Sequence, residues 1–266
     1  MIGELRRVIY AWPAIFRVAF AGMVAYRAEM VIWVLSATLP LVMMALWNAA
    51  ASGGPVNGWD QIELARYFTL NLVVRQLTGS WIVWELNWNI RQGDLSPKLL
   101  RPMHPLVFNT AETVSALPFR LMVLTPLVGI LLVWRPEILF WSGWGIFFAF
   151  VVSTLFSLAI QWMVQAIFGL LAFWFDDATG FWSAWFSVWA LCGGYFVPLD
   201  LFPDHLISFV RWLPFYSTLG APIDVAMGNV GVLPTLGVQV GWMVVLVGVT
   251  SAMWSAGIRR YGAVGA

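Results

Sequence analysis

Apolar residues run almost unbroken for about twenty positions at a time along this chain, and short polar or charged segments separate the runs. A helix rises 1.5 Å per residue and the hydrocarbon core of a bilayer is about 30 Å thick, so blocks of this length predict membrane-spanning helices. Six windows emerge: Val31 to Ala51, Leu64 to Leu86, Leu106 to Trp134, Gly143 to Phe175, Phe181 to Pro198 and Gly231 to Gly257. Alternating strands of about ten residues, which a membrane barrel requires, are absent. The expected fold is an all-α integral membrane protein with six transmembrane helices in a single transmembrane domain, residues 1–266.

Basic residues give an orientation, because short cytoplasmic loops carry the excess of Lys and Arg. Arg6, Arg7, Arg17 and Arg27 precede the first window, Arg91, Lys98 and Arg101 lie between the second and third, and Arg259 and Arg260 follow the sixth. The opposite loops hold only Arg66, Arg135 and Arg211. Both termini are therefore expected in the cytoplasm. The loop between the fourth and fifth windows has Asp176 and Asp177 and no basic residue, so its side follows by alternation alone.

Three segments do not read as spans. Over residues 1–28, Leu5, Val8, Ile9, Trp12, Ile15, Phe16, Ala19 and Met23 recur at helical spacing, with Arg6, Arg7, Tyr10 and Arg17 largely on other faces. This fits a helix in the headgroup layer, kinked at Pro13, or the cytoplasmic end of the first span. A signal peptide does not fit, since Arg17 and Arg27 interrupt the uncharged core it would need. Residues 87–105 contain NIRQGDLSPKLLRPMHP, where Gly93, Pro97, Pro102 and Pro105 punctuate a basic elbow. A brief helix ended sharply there suits docking on another protein, and an ordinary topology-setting loop is the alternative. Residues 199–230 are too long and apolar for a simple connection, so they either re-enter the outer leaflet or rest on its surface.

Composition strengthens the membrane reading. The chain is 61% hydrophobic and only 10% charged, with a mean hydropathy of +0.82, against roughly a quarter charged in soluble domains. Fourteen Lys and Arg oppose 13 Asp and Glu, which leaves no basic footprint for nucleic acid. The single cysteine, Cys192, excludes an internal disulfide and a cysteine metal cluster.

Within the spans, Arg75 stands out. It falls about 16 Å into the second window, near the bilayer centre, with no carboxylate at that depth. Its expected partner is a carbonyl, a polar side chain such as Gln161 or Gln165, water, or a bound anion. Asn71, Arg75 and Thr78 share one helix face, which either lines a polar translocation path or is satisfied internally. Arg120 is expected to snorkel. Many of the eighteen tryptophans sit near span ends, as interfacial anchors do. Trp185 and Trp189, four apart on the fifth window, form either a cage for a cation or a packing face.

Catalytic chemistry finds little support. His104 and His205 lie in loops on opposite sides, and no His or Lys falls within any span. Lys98, the only lysine, follows Pro97, which excludes a phosphate-cradling loop ending in Gly-Lys-Ser/Thr. Glu85, Glu112, Asp176 and Asp177 all fall near the cytoplasmic edge, away from the depth that proton coupling uses.

Four stretches together resemble the permeases of the type-2 ABC exporter family. They are Ile90-Arg91-Gln92-Gly93 through Leu99-Leu100-Arg101-Pro102 and Pro105-Leu106; Phe173-Trp174-Phe175-Asp176-Asp177 with Gly180-Phe181-Trp182; Gly194-Tyr195-Phe196-Val197-Pro198-Leu199-Asp200-Leu201-Phe202-Pro203 followed by Leu213-Pro214-Phe215-Tyr216; and Gly257-Ile258-Arg259-Arg260-Tyr261-Gly262-Ala263-Val264-Gly265. Their order and spacing cover nearly the whole chain. The resemblance implies a six-helix half of a transmembrane dimer, homo- or heterodimeric, in the cytoplasmic membrane. It implies an N-terminal interfacial helix, a coupling helix near Asp94 to Pro102, and re-entrant helices before the last span. It further implies that Arg91, Gly93, Asp94, Lys98, Arg101 and Pro102 meet a separate ABC ATPase dimer, which binds ATP and Mg while this chain binds no cofactor. Asn71, Arg75, Thr78, Trp185 and Trp189 would face the translocation path, since spans two and five do so in the family. Gln92 stands where the family more commonly has an acidic residue, which removes the charge pairing expected there. The contrasting readings are a self-sufficient secondary transporter or channel, and a lipid-modifying membrane enzyme.

Overall fold

The computed structural model describes residues 2–25, 28, 32, 38–138 and 143–261, with backbone alone for 2–9 and 204. Within the first window residues 31 and 33–37, as well as Arg27, Trp141 and residues 262–265, lie outside the described residues. The described chain is helical throughout, with one isolated β-bridge between Val56 and Trp59 and no strand. Thirteen α-helices follow in order: α1 Ile2–Ala25, α2 Leu39–Ala50, α3 Gln61–Thr78, α4 Ile82–Arg91, α5 Leu95–Leu99, α6 Pro105–Ser115, α7 Leu117–Trp134, α8 Trp144–Leu170, α9 Thr179–Cys192, α10 Asp204–Val210, α11 Pro214–Thr218, α12 Gly220–Met227 and α13 Val232–Arg260.

Three of the six windows are realised as helices long and apolar enough to cross a bilayer: Pro105–Trp134, in which α6 and α7 join through Ala116, Trp144–Phe173 and Val232–Arg260. Their outer faces carry large exposed apolar side chains such as Val133, Phe148 and Val244, which suits a lipid surround. The second window differs from expectation. It is two helices, broken at Gly79, Ser80 and Trp81. The fifth is a helix of 14 residues, about 21 Å long, because the chain turns at Gly193 and Gly194. At Gly194 φ is +85°, and a Cβ would collide with the Tyr67 hydroxyl, so only glycine fits.

The polar helix α3 sits inside. Its start is set by a capping box: Asp60 accepts from the amides of Ile62 and Glu63, each at 2.7 Å, and Glu63 accepts from the Asp60 amide at 3.0 Å. Tyr67, Thr69, Asn71, Gln76 and Thr78 are all buried among α2, α7, α8 and α12. Lipid demands apolar side chains only of the helices it touches, so the enclosed helix can be the polar one. Helix α8 is the axle on which α3, α4, α11, α12 and α13 pack. Helices α4 and α8 touch closely at Gly169, where a Cβ would come within 2.8 Å of the Leu86 Cβ.

Between α9 and α13 the chain forms three short α-helices that differ in burial. Helix α10 keeps Leu206 and Phe209 exposed, whereas α11 and α12 turn back among α3, α8 and α13 with most of their residues buried. Helix α1 runs through Pro13 and packs along α6, with the Phe20 ring tilted against Phe119 of α7 at 5.2 Å.

Candidate coupling and translocation sites

The turn after α9 is gripped from two helices. Tyr67 donates to the Gly194 carbonyl at 2.7 Å, Asn71 donates to the same carbonyl at 2.9 Å, and Trp47 of α2 donates to the Phe196 carbonyl at 2.9 Å. One turn further along α3, Arg75 hydrogen-bonds the Tyr195 hydroxyl and lies 5.6 Å from the centroid of the Trp189 ring. The partner of Arg75 is therefore a polar side chain, as one expectation had it, but it is neither Gln161 nor Gln165, whose Oε1 atoms have no partner. A cation over an indole face is favourable where water is excluded. The Arg75 Nε remains without a partner.

Trp189 is 2% exposed and donates through Nε1 to Thr218 at 2.7 Å, while the Trp185 ring lies tilted against Phe215 at 4.4 Å. The fifth window thus binds α3 on one flank and α11 on the other. Thr78 turns to its own helix, donating to the Val74 carbonyl at 2.9 Å. Asn71, Arg75, Trp189 and Tyr195 come together around the turn; Thr78 stays on α3, and Trp185 faces α11 and α8.

Arg120 does not snorkel. It is 5% exposed, and its Nη1 donates to the carbonyls of Gln76, at 3.1 Å, and Gly79. Breaking a helix frees carbonyls that need a donor where water is excluded, and Arg120 supplies that donor to two of them. A Cβ on Gly79 would meet the Nη1 atoms of Arg120 at 3.1 Å and Arg75 at 3.5 Å, so both guanidinium groups flank the break. The signal for it was local: Thr78-Gly79-Ser80 are weak helix formers in sequence.

Below the break, α4 carries Glu85 toward the elbow. Lys98 of α5 pairs with Glu85 at 3.2 Å, and Glu112 of α6 hydrogen-bonds the same carboxyl from the other side. A small cavity of about 80 Å³ lies there, lined by Met23, Ser80, Glu85, Glu112 and Arg120 among others. Gly93 turns the chain at φ +82°, Leu95 buries completely, and Ser96 meets the Tyr261 hydroxyl at 3.2 Å at the end of α13. Arg91, Asp94, Pro97, Leu99, Arg101 and Pro102 face outward, and Leu100 is 87% exposed. Arg101 lies 5.2 Å from the Phe108 ring. Nearby, hydrogen bonds from the Thr179 hydroxyl and amide, with some help from Arg91, hold the Asp177 carboxyl below the usual range.

A second buried polar cluster escaped sequence reasoning. Gln239 of α13 is 0% exposed and donates to the Ser153 carbonyl at 3.1 Å, Ser157 Oγ at 3.1 Å and the Ser217 carbonyl at 2.9 Å. Ser153 Oγ returns a bond to Gln239 Oε1 at 3.0 Å. Ser153 and Ser157 sit four apart in the fourth window, opposite the one amide of the sixth. Among the described residues, no group of three or more His, Cys, Asp or Glu is placed to hold a metal.

No curated protein matches the chain. A family model described as ABC-2 family transporter protein matches residues 30–265, and the chain belongs to this family of transporter permeases.

Proposed function

We propose that this protein is the membrane-spanning permease of an ATP-driven exporter, whose separate ATPase subunits bind ATP and Mg and drive outward translocation. Its family supports a membrane-embedded permease of an ABC transporter, and members of that family generally work with an ABC ATPase. In this reading the chain crosses the inner membrane six times with both termini cytoplasmic. It pairs with a second permease, identical or not. The observation that carries the proposal is the elbow, where Leu99, Leu100, Arg101 and Pro102 are exposed together at the end of a short helix tied to α4 by the Lys98–Glu85 pair. A side chain as apolar as Leu100, left 87% exposed beside cations, suits a protein partner rather than water.

The proposed coupling follows from those ties. Closure of the ATPase dimer presses on α5. The push passes to α4 through Lys98 and Glu85 and to α13 through Ser96 and Tyr261. Helix α4 can pivot at Gly79 to Trp81, while Arg120 keeps the last carbonyls of α3 satisfied on the other side of the break. The relative tilt of α3 and α9 then exchanges inward for outward access, a shift between two packed states driven by the partner. Tagged purification in mild detergent tests this. Recovery of an ATP-binding subunit with ATPase activity supports it; a single-chain oligomer that moves solute without ATP refutes it.

A further inference from the structure

On the side that carries residues 199–230, a groove of about 850 Å³ opens between the Arg211–Trp212 corner, α11 and the first half of α13. This size falls within the range of about 300–1,000 Å³ typical of small-molecule sites. Its long wall is Gly231, Pro234, Gly237, Val238, Gly241 and Val245. A Cβ added to Gly237 or Gly241 would meet nothing within 4 Å, so these glycines shape a hollow and do not serve close packing inside the chain. Trp242 closes one flank, donating to the Trp212 carbonyl at 2.8 Å.

One end of the groove is polar and incompletely satisfied. Ser217 lines it, is 0% exposed, and its Oγ has no hydrogen-bond partner. Arg211 lines it too, with a buried Nε that has no partner. Leaving such groups unpaired is costly, and an oxygen acceptor placed there would satisfy them. Charge restricts the choice. The Arg211 Nη2 is already 2.9 Å from Asp200 and 3.8 Å from Asp224. An anion would compete with the Asp200 carboxylate already paired to this cation, and an ammonium would face the guanidinium on the wall.

We propose that this groove binds an amphiphile whose uncharged, oxygen-bearing head, a hydroxyl, ester or glycosyl group, meets Ser217 and Arg211 while its aliphatic chain lies along Gly237 to Val245. A helix of a second copy seated on Gly237 and Gly241 would use the same small residues, but it would leave the polar end unpaired. The inference is independent of ATP coupling, since the isolated permease suffices to test it.

The test uses the purified full chain in phosphatidylcholine nanodiscs. The probe is a diazirine-tagged monoacylglycerol, compared with an alkyl phosphate and an alkyltrimethylammonium of equal chain length. The monoacylglycerol is expected to label peptides covering residues 212 and 231–245 about tenfold more than either charged probe, equivalent to about 1.4 kcal/mol, with loss of labelling under excess unlabelled monoacylglycerol. Gly241→Phe fills the hollow and is expected to cut labelling about tenfold at an unchanged melting temperature. The competition on the unsubstituted chain needs no variant. Equal labelling by all three probes overturns the proposal, as does labelling that a folded Gly241→Phe leaves intact. Disulfide cross-linking of two copies through Gly241→Cys overturns it in favour of a second copy.

Discussion

Replacing Gln239 by leucine isolates one contribution to the stability of the bundle. The side chain makes four hydrogen bonds that join α13 to α8 and α11. Interhelical hydrogen bonds inside membranes average about 0.6 kcal/mol, and the two N–H hydrogens of the amide are shared among three acceptors, so with the bond to Oε1 about three full bonds are worth roughly 1.8 kcal/mol. Leucine has a similar size and keeps the packing, while Ser153 Oγ loses its acceptor. The expected loss is therefore about 2 kcal/mol, or an apparent melting temperature lower by roughly 4–8 °C at about 2–4 °C per kcal/mol for a chain of this order. Tryptophan fluorescence during a thermal ramp of the detergent-solubilised protein measures it. Adding Ser153→Ala to Gln239→Leu removes the orphaned hydroxyl, so the pair should cost less than the sum of the singles by at least about 0.5 kcal/mol. A Gln239→Leu protein that melts where the original does, or a strictly additive double variant, would refute the reasoning.

Other substitutions probe the remaining joints. Arg120→Met should reduce the monodisperse fraction in size-exclusion chromatography more than Arg101→Met does, because it strips the donor from the Gln76 and Gly79 carbonyls while Arg101 is exposed; equal behaviour would argue against the capping role. Gly257→Ala should lower the melting temperature, since its Cβ would run into the Phe173 ring, whereas Gly248→Ala, with open space around it, should be neutral. Burial first, and then the charge of Asp200, raise the Asp224 carboxyl to about 7, above its unfolded value of about 4. The folded chain then holds the extra proton between those values, so stability should fall as pH rises from about 4 to about 7, and Asp224→Asn should flatten that slope in melting curves.

Length and apolarity made the third, fourth and sixth windows legible, because each helix is at least 27 residues long and meets lipid along much of its surface. The break in the second window was not legible: hydropathy averaged over about twenty residues passes over Gly79 and Ser80, and the cation that makes the break tolerable comes from Arg120, more than forty positions away. The same separation hid the partner of Arg75. Tyr195 lies beyond six intervening helices in sequence and reaches α3 only because Gly193 and Gly194 reverse the chain. The elbow was legible for the opposite reason. Its shape is set locally by Gly93 and the prolines, so spacing alone located the short helix. The burial of α11 and α12 against α8 depends on contacts distant in sequence, so these helices could not be told beforehand from an exposed one such as α10.

The most direct test of the account is ATPase stimulation by the reconstituted permease carrying Leu100→Asp or Arg101→Glu, two exposed elbow positions. The account predicts that both variants insert and melt like the original and yet fail to stimulate or retain the ATPase subunit. Full stimulation by both variants would contradict it.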